Sequence, residues 1–379
     1  MLEVAVIGGG IVGASAAYQL ARRGAKVTLI DRADTGQATL AGAGILPALD
    51  HFSGSDGMLP LLRGARAHLP ELVHALADEG QGDAGYAVVG ALHVATTEDE
   101  NAGLGELARA AVELREAGLG HIGDVTQLGA NEAARLFPLL GPRVLGAVHC
   151  SGAARVDGRR LLAALRGAFC ERGGRWRRGH AELVFGKGRV THVAVDAERL
   201  AVDAVIVAAG AWSADVAARL GVRLDVRAQK GQLVHLDVGV IGTEQWPIVM
   251  GSGLNYLVSF ADQRVVAGAT REQQPAQLDA RVTAGAVRGV LGAALELAPG
   301  LASAALLEVR TGFRPVSADG RPILGACPSC ENLYFATGHG GYGLEVGPYS
   351  GDLLADLVVG APLRLDLTPF AVGRFERPD

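Results

Sequence analysis

An α/β fold, with a parallel doubly wound domain and an inserted α+β lobe built on a mostly antiparallel sheet, is predicted by three features of the 379-residue sequence. The chain opens with strand, glycine turn, helix and strand, all completed by Asp31. A wholly apolar run over residues 204–209 reads as a strand buried on both faces. Alternating strand patterns then crowd residues 232–313.

Residues 4–7 form the first strand, Gly8-Gly9-Gly10-Ile11-Val12-Gly13 the turn and helix start, and the helix runs to Arg23, where Gly24 stops it. Residues 26–30 form the second strand, closed by Asp31. This spacing fits the G-x-G-x-x-G turn of a Rossmann-type dinucleotide-binding unit: Gly8 makes the turn, Gly10 lets backbone approach a pyrophosphate, and Gly13 lets the helix pack on the strands. The phosphates belong on the helix N-terminus, near Ile11 and Val12, and Asp31 is placed to accept hydrogen bonds from a ribose diol. FAD and NAD share the ADP half, so this unit leaves the choice open.

After Asp31, residues 32–46 are mostly small where a plain doubly wound fold would begin its next helix, which suits close approach of backbone to a flat ring. Residues 58–117 read as mainly helical with one strand at 86–95, and 120–131 as a loop leading into a short helix. An amphipathic helix over 159–172 and the apolar strand ending at Gly210 return the chain to the first domain. Strands at 232–237, 256–260, 264–270 and 306–313, with a helix over 280–296, build the second lobe. The chain ends with a strand at 333–337, the turn 338–343 and a helix over 344–359. The expected division is 1–50, 140–215 and 315–379 for the cofactor domain, and 51–139 and 216–314 for the substrate domain.

Composition narrows the function. A formal charge of −5 with no Lys/Arg run gives no field for a phosphate backbone, so nucleic acid is not expected as a partner. The 54 glycines are dispersed, in keeping with tight turns around a ligand. The first strand starts at Leu2 with no room for a leader, and no apolar stretch approaches the roughly 20 residues that span a bilayer. A cytoplasmic protein is expected, with peripheral contact at the inner membrane face left open. Four dispersed cysteines fit a reducing compartment, and Cys150 and Cys170 read as ordinary thiols. Cys327-Pro-Ser-Cys330 has redox or half-metal-site spacing but no second Cys/His pair, and no metal is expected.

Six segments in order carry a resemblance to a known family: Gly8 to Gly13 with Asp31, Ala41-Gly42-Ala43-Gly44-Ile45-Leu46, residues 207–213, Lys230-Gly231-Gln232, Gly312-Phe313-Arg314-Pro315 with Asp319-Gly320-Arg321-Pro322, and Thr337-Gly338-His339-Gly340. Together they resemble the FAD-dependent D-amino acid oxidase superfamily, which includes glycine oxidase, sarcosine oxidase and D-amino acid dehydrogenases. The resemblance implies an oxidoreductase that oxidises the C–N bond of a small amino acid or amine by hydride transfer to flavin N5, giving an imine and then an oxo acid and ammonia. It implies that Ala43, Gly44 and Ile45 approach the flavin, that Leu183 or a neighbour touches adenine through backbone, and that His339, Gly340, Gly341, Tyr342, Gly343 and Leu344 lie along the ring edge. Arg32, Thr39, Ala209, Gly210 and Trp212 complete the implied cofactor set.

Arg314 resembles the arginine that grips the substrate carboxylate, and Tyr256 falls where the family places a pocket tyrosine. By residue type alone, a surface ion pair for Arg314 and core packing for Tyr256 remain the alternatives. His339 reads either as a cofactor contact or as a base. This chain departs from the pattern at Ser259-Phe260, where many relatives have Pro-Arg, and at Gly341-Tyr342-Gly343, so specificity for glycine does not follow. No cysteine stands near Gly312 and no histidine between Arg32 and Leu49, so the FAD is expected to be noncovalent. The sequence leaves open a sarcosine or imino-acid oxidase, a dehydrogenase passing electrons to quinone instead of oxygen, a non-catalytic flavin-binding protein, and a homo-oligomer.

Overall fold

The computed structural model describes residues 1–49, 57–253, 255–274 and 277–375. Its first sheet has six strands in the order Ile323–Ala326, Leu333–Thr337, Ala204–Val207, Glu3–Ile7, Lys26–Asp31 and Arg175–Arg178. The pairs are parallel except the hairpin of the first two. Side chains alternate across this sheet: Val4, Val6, Ala204 and Ile206 join one apolar core, and Ala5, Ile7, Val205 and Val207 join the other. Being buried on both faces explains why Glu3–Ile7 and Ala204–Val207 read as continuous apolar runs.

On the first face the helices Ile11–Arg22 and Gly343–Val359 lie side by side. Glycines set their spacing: a methyl on Gly351 would stand 2.6 Å from the Ala16 nitrogen, and one on Gly347 would stand 3.0 Å from Val12. Since Gly347 meets Val12 and Gly351 meets Ala16, the two helices run in the same direction and begin at the same end of the sheet.

The second sheet has nine strands, paired antiparallel except where Ile248–Met250 runs parallel to Ala91–Ala95. Its longest ladder joins Val226–Asp237 to Ala305–Ser317. Strand Gly146–Cys150, numbered within 140–215, pairs in this sheet with Ala91–Ala95 and Val125–Gly129. Asp157 links the two parts: its carboxylate caps helix Gly158–Glu171 through the Arg159 and Arg160 N–H groups and accepts from Arg264 Nη2 of the nine-stranded sheet at 2.5 Å.

Several expectations need correction. The loop expected over 120–131 contains a 3-10 turn, Gly120–Ile122, and the edge strand Val125–Gly129, whose exposed polar residues hide its pattern. Strands Arg175–Arg178, Ala181–Gly186, Arg189–Val195 and Glu198–Ala201 were not anticipated either. Arg175–Arg178 and Glu198–Ala201 are charged and mostly exposed, so they show little apolar alternation, whereas Ala181–Gly186 and Arg189–Val195 carry apolar residues that the sequence reading passed over. Residues 51–56 of the expected substrate domain lie outside the described residues. Among the described residues no helix is long and apolar enough to cross a membrane.

Candidate active site

Both helix N-termini open on one cleft of about 1010 Å³, at the upper end of the roughly 300–1,000 Å³ usual for small-molecule sites. The first is shaped by glycines. Gly8 has φ +103°, and a methyl there would stand 2.3 Å from the Ala208 carbonyl oxygen. A methyl on Gly13 would stand 1.9 Å from the Gly8 oxygen, so only hydrogen allows the helix to sit on its own turn. Asp31 is buried behind this turn, accepting from the Gly9 N–H at 3.1 Å and the Ala33 N–H at 2.7 Å, while Gln37 donates to it at 3.0 Å. Arg166 joins them, donating to the Gly9 carbonyl at 2.6 Å and lying 3.3 Å from Asp31. Thr39 Oγ1 accepts from the Ile11 N–H at 3.0 Å.

The second helix begins at Gly343 without a capping side chain. Ahead of it, buried His339 donates from Nε2 to Ser350 Oγ at 3.1 Å, and Ser350 in turn donates to the Val346 carbonyl. Burial lowers the His339 pKa to about 4, so the ring is neutral at physiological pH. Thr337 Oγ1 donates to the Gly210 carbonyl at 2.8 Å, tying this turn to the one that follows the apolar strand. Nearby, Trp212 meets Phe313 edge-on, with ring centroids 6.0 Å apart.

Past these turns the cleft reaches the nine-stranded sheet. Arg314 lies across Gly231, where a methyl would stand 2.5 Å from Nη1, and donates from Nη1 to the Thr270 carbonyl at 3.1 Å. Tyr256 stands close enough to Arg314 to interact with it electrostatically, and burial holds its phenol above the ordinary range, hence protonated. Burial likewise lowers the Arg314 pKa, though a guanidinium retains its charge. Neither residue has a carboxylate partner among the described residues.

Of the residues proposed from the sequence for the cofactor and substrate, all but Gly13 and Tyr342 line this cleft. Gly13 lies beneath the turn, and Tyr342 packs against the first core. Leu183 lines the cleft on the small three-stranded sheet, beside Gly179 and His180. Cys327 and Cys330 are buried as free thiols away from the cleft, and no His/Cys/Asp/Glu group able to hold a metal occurs among the described residues. Sequence reading missed Gln37, Arg166, Gly231's role under Arg314, and Arg271, which also lines the cleft. Only the strand register that places Gly231 opposite Gly312 and Gln229 opposite Arg314 could have flagged Gly231.

A cleft fed by two parallel helix N-termini, with a carboxylate behind the first glycine turn, has the build of a dinucleotide site, and the Arg314 guanidinium lies at its far end. The residues present fit FAD: the first N-terminus would offer backbone N–H groups to its phosphates, and the second, uncapped, would offer its positive end to a ring that becomes anionic on reduction.

The chain belongs to the FAD dependent oxidoreductase family, whose model matches residues 3–357. It is 43% identical to the uncharacterized oxidoreductase YurR of Bacillus subtilis (strain 168), with 98% of each chain covered. It is 33% identical to glycine oxidase of Geobacillus kaustophilus (strain HTA426), covering 98% of this chain and 97% of that one. The crystal structure of iminodiacetate oxidase from Chelativorans sp. BNC1 superposes with a TM-score of 0.90 at 41% identity, covering 97% of this chain and 98% of that one. The protein is thus an FAD-dependent oxidoreductase related to glycine oxidase and iminodiacetate oxidase.

Proposed function

We propose that this oxidoreductase binds a small amino acid or amine by a carboxylate on Arg314 and oxidises the neighbouring C–N bond. The observation that carries this reading is the half-buried Arg314 guanidinium, seated over Gly231 with one N–H committed to Thr270 and no acid partner among the described residues. A planar fork with free donors suits two-point recognition of a carboxylate. The names of the relatives, glycine oxidase and iminodiacetate oxidase, support a substrate of glycine type.

Residues of 1–50, 140–215 and 315–379 hold the cofactor, and those of 51–139 and 216–314 the substrate. Gly8, Gly10, Ile11, Val12 and Asp31 serve the ADP half, with Leu183 at the adenine; Ala43, Gly44, Ile45 and the 339–344 turn serve the ring. FAD held there would supply the two-electron oxidant for the C–N bond, and water would hydrolyse the imine product to an oxo acid and ammonia, or an amine where the nitrogen is substituted. The protein's part is positioning and exclusion of water: Arg314 and the protonated Tyr256 hold the acid group, and the apolar side chains of Leu233 and Ile45 line the same cleft. His339 holds the turn through Ser350 instead of moving protons. The FAD is held without a covalent bond, and oxygen or a quinone takes the electrons; the rate at which air reoxidises the reduced protein tells these acceptors apart. Free cysteines fit work in the cytoplasm.

Arg314→Ala should raise KM for the amino acid roughly 10²-fold, because a substrate charge loses its partner, while flavin content stays at the wild-type level. An unchanged KM would remove Arg314 from the pocket.

A further inference from the structure

Arg271 stands at the same cleft, and nothing in the reaction described so far uses it. Its backbone is fixed from both sides. Thr270 N–H donates to the Gln232 carbonyl at 3.1 Å, and Thr270 Oγ1 accepts from the Gln232 N–H at 3.0 Å. Glu272 pairs with Lys230 in the sheet and accepts on Oε1 from Gln232 Nε2 at 2.8 Å and from Thr270 Oγ1 at 2.7 Å. Thr270 and Glu272 therefore send their side chains to the same partner, and in extended chain the residue between them points the other way.

That side chain is exposed and reaches the cleft, with no hydrogen bond or ion pair to any described residue. Glu272, the nearest acid in sequence, is already committed to Gln232 and Thr270. Arg271 is also close enough to act electrostatically on both Tyr256 and Arg314, and Arg314 itself holds the Thr270 carbonyl. Two guanidinium groups brought together without an acid between them repel, and a ligand carrying two negative groups relieves that repulsion.

We propose that Arg271 is a second carboxylate-binding group, and that the preferred substrate is an amine flanked by two acid groups, an imino diacid of the N-carboxymethyl amino acid class. This rests on the reading of Arg314 as the first anchor. Arg314 holds the acid group beside the carbon that is oxidised, and Arg271, at the exposed side, holds the one beyond the nitrogen. Specificity then comes from Arg271, and the chemistry is unaffected by it.

The test compares kcat/KM for iminodiacetate, sarcosine and glycine in the wild-type holoenzyme and in Arg271→Ala and Arg271→Lys. It also measures binding of glutarate, the non-oxidisable analogue with methylene in place of nitrogen, from the perturbed flavin spectrum. Wild type should prefer iminodiacetate over sarcosine by tenfold or more. Arg271→Ala should abolish that preference and weaken glutarate at least tenfold, leaving flavin content and sarcosine turnover within about twofold, and Arg271→Lys should restore part of the loss. Sarcosine or glycine oxidised as well as iminodiacetate, or glutarate binding unaltered in Arg271→Ala, would overturn the role of Arg271 and leave the reading of Arg314 intact. Flavin unreduced by any of the three amines would overturn the reading of Arg314 and this proposal with it.

Discussion

At Gly231 a methyl group would lie 2.5 Å from Arg314 Nη1 and 2.7 Å from Nη2, so the guanidinium keeps its seat only while that position lacks a side chain. Gly231→Ala should therefore act like a partial loss of Arg314: KM for the amino acid rises tenfold or more, while the protein folds and retains its flavin. Steady-state kinetics beside the visible spectrum check this, and a wild-type KM would show that Arg314 has another place to go. Arg314 and Tyr256 were legible in the sequence because they stand in recognisable segments. Gly231 was visible only as part of Lys230-Gly231-Gln232, since its purpose lies across a ladder. Arg271 carried no signal at all, because its direction depends on how its two neighbours bond to Gln232.

Among the elements, helix Gly158–Glu171 is fixed at its N-terminus by Asp157, which also holds Arg264. Arg264 lies over the Phe260 ring and contacts His235, so the acid neutralises a buried cation as well as capping a helix. The Asp157 pKa is shifted down overall although its burial acts to raise it, because the Arg160 N–H, the Arg264 charge and the Arg159 N–H favour the carboxylate. Removing it should cost about 3–5 kcal/mol, the range for breaking one side of a buried pair. Asp157→Ala is expected to show this as a lower denaturation midpoint with unchanged slope, and a loss below about 1 kcal/mol would mean that water replaces the carboxylate. The four inner parallel strands, Glu3–Ile7, Lys26–Asp31, Ala204–Val207 and Leu333–Thr337, could be read from sequence because burial on both faces makes them nearly continuous apolar runs, and both cleft helices because each follows a glycine turn. The polar edge strands Val125–Gly129, Arg175–Arg178 and Glu198–Ala201 could not, since neither face is fully buried and no apolar alternation is left to reveal a strand.

For the molecule as a whole, buried neutral histidines set the response to acid. His339 and His235 have pKa values lowered to about 4 and about 3 by burial, with the Arg310 and Arg264 charges adding to the effect at His235. Unfolded histidines take up protons near 6.5, so between that pH and the folded values the unfolded chain binds more protons and falling pH favours unfolding. Each histidine contributes roughly 1.4 kcal/mol per pH unit across its window. Thermal unfolding followed from pH 7.5 to 4.5 should show Tm falling below about pH 6.5, and replacing His235 with a neutral isostere should flatten the fall; a Tm constant to pH 4.5 would contradict this. Chain-wide order, two glycine turns and a guanidinium between them, was legible from sequence because each is a local signal, but their meeting at one cleft depends on Gly347 and Gly351 setting two helices side by side. Anaerobic titration of the purified yellow protein with glycine, sarcosine and iminodiacetate tests that meeting most directly. At least one of these amines should bleach the visible flavin band in wild type and require far higher concentrations in Arg314→Ala; a colourless protein, or a band indifferent to every amine, would contradict the account.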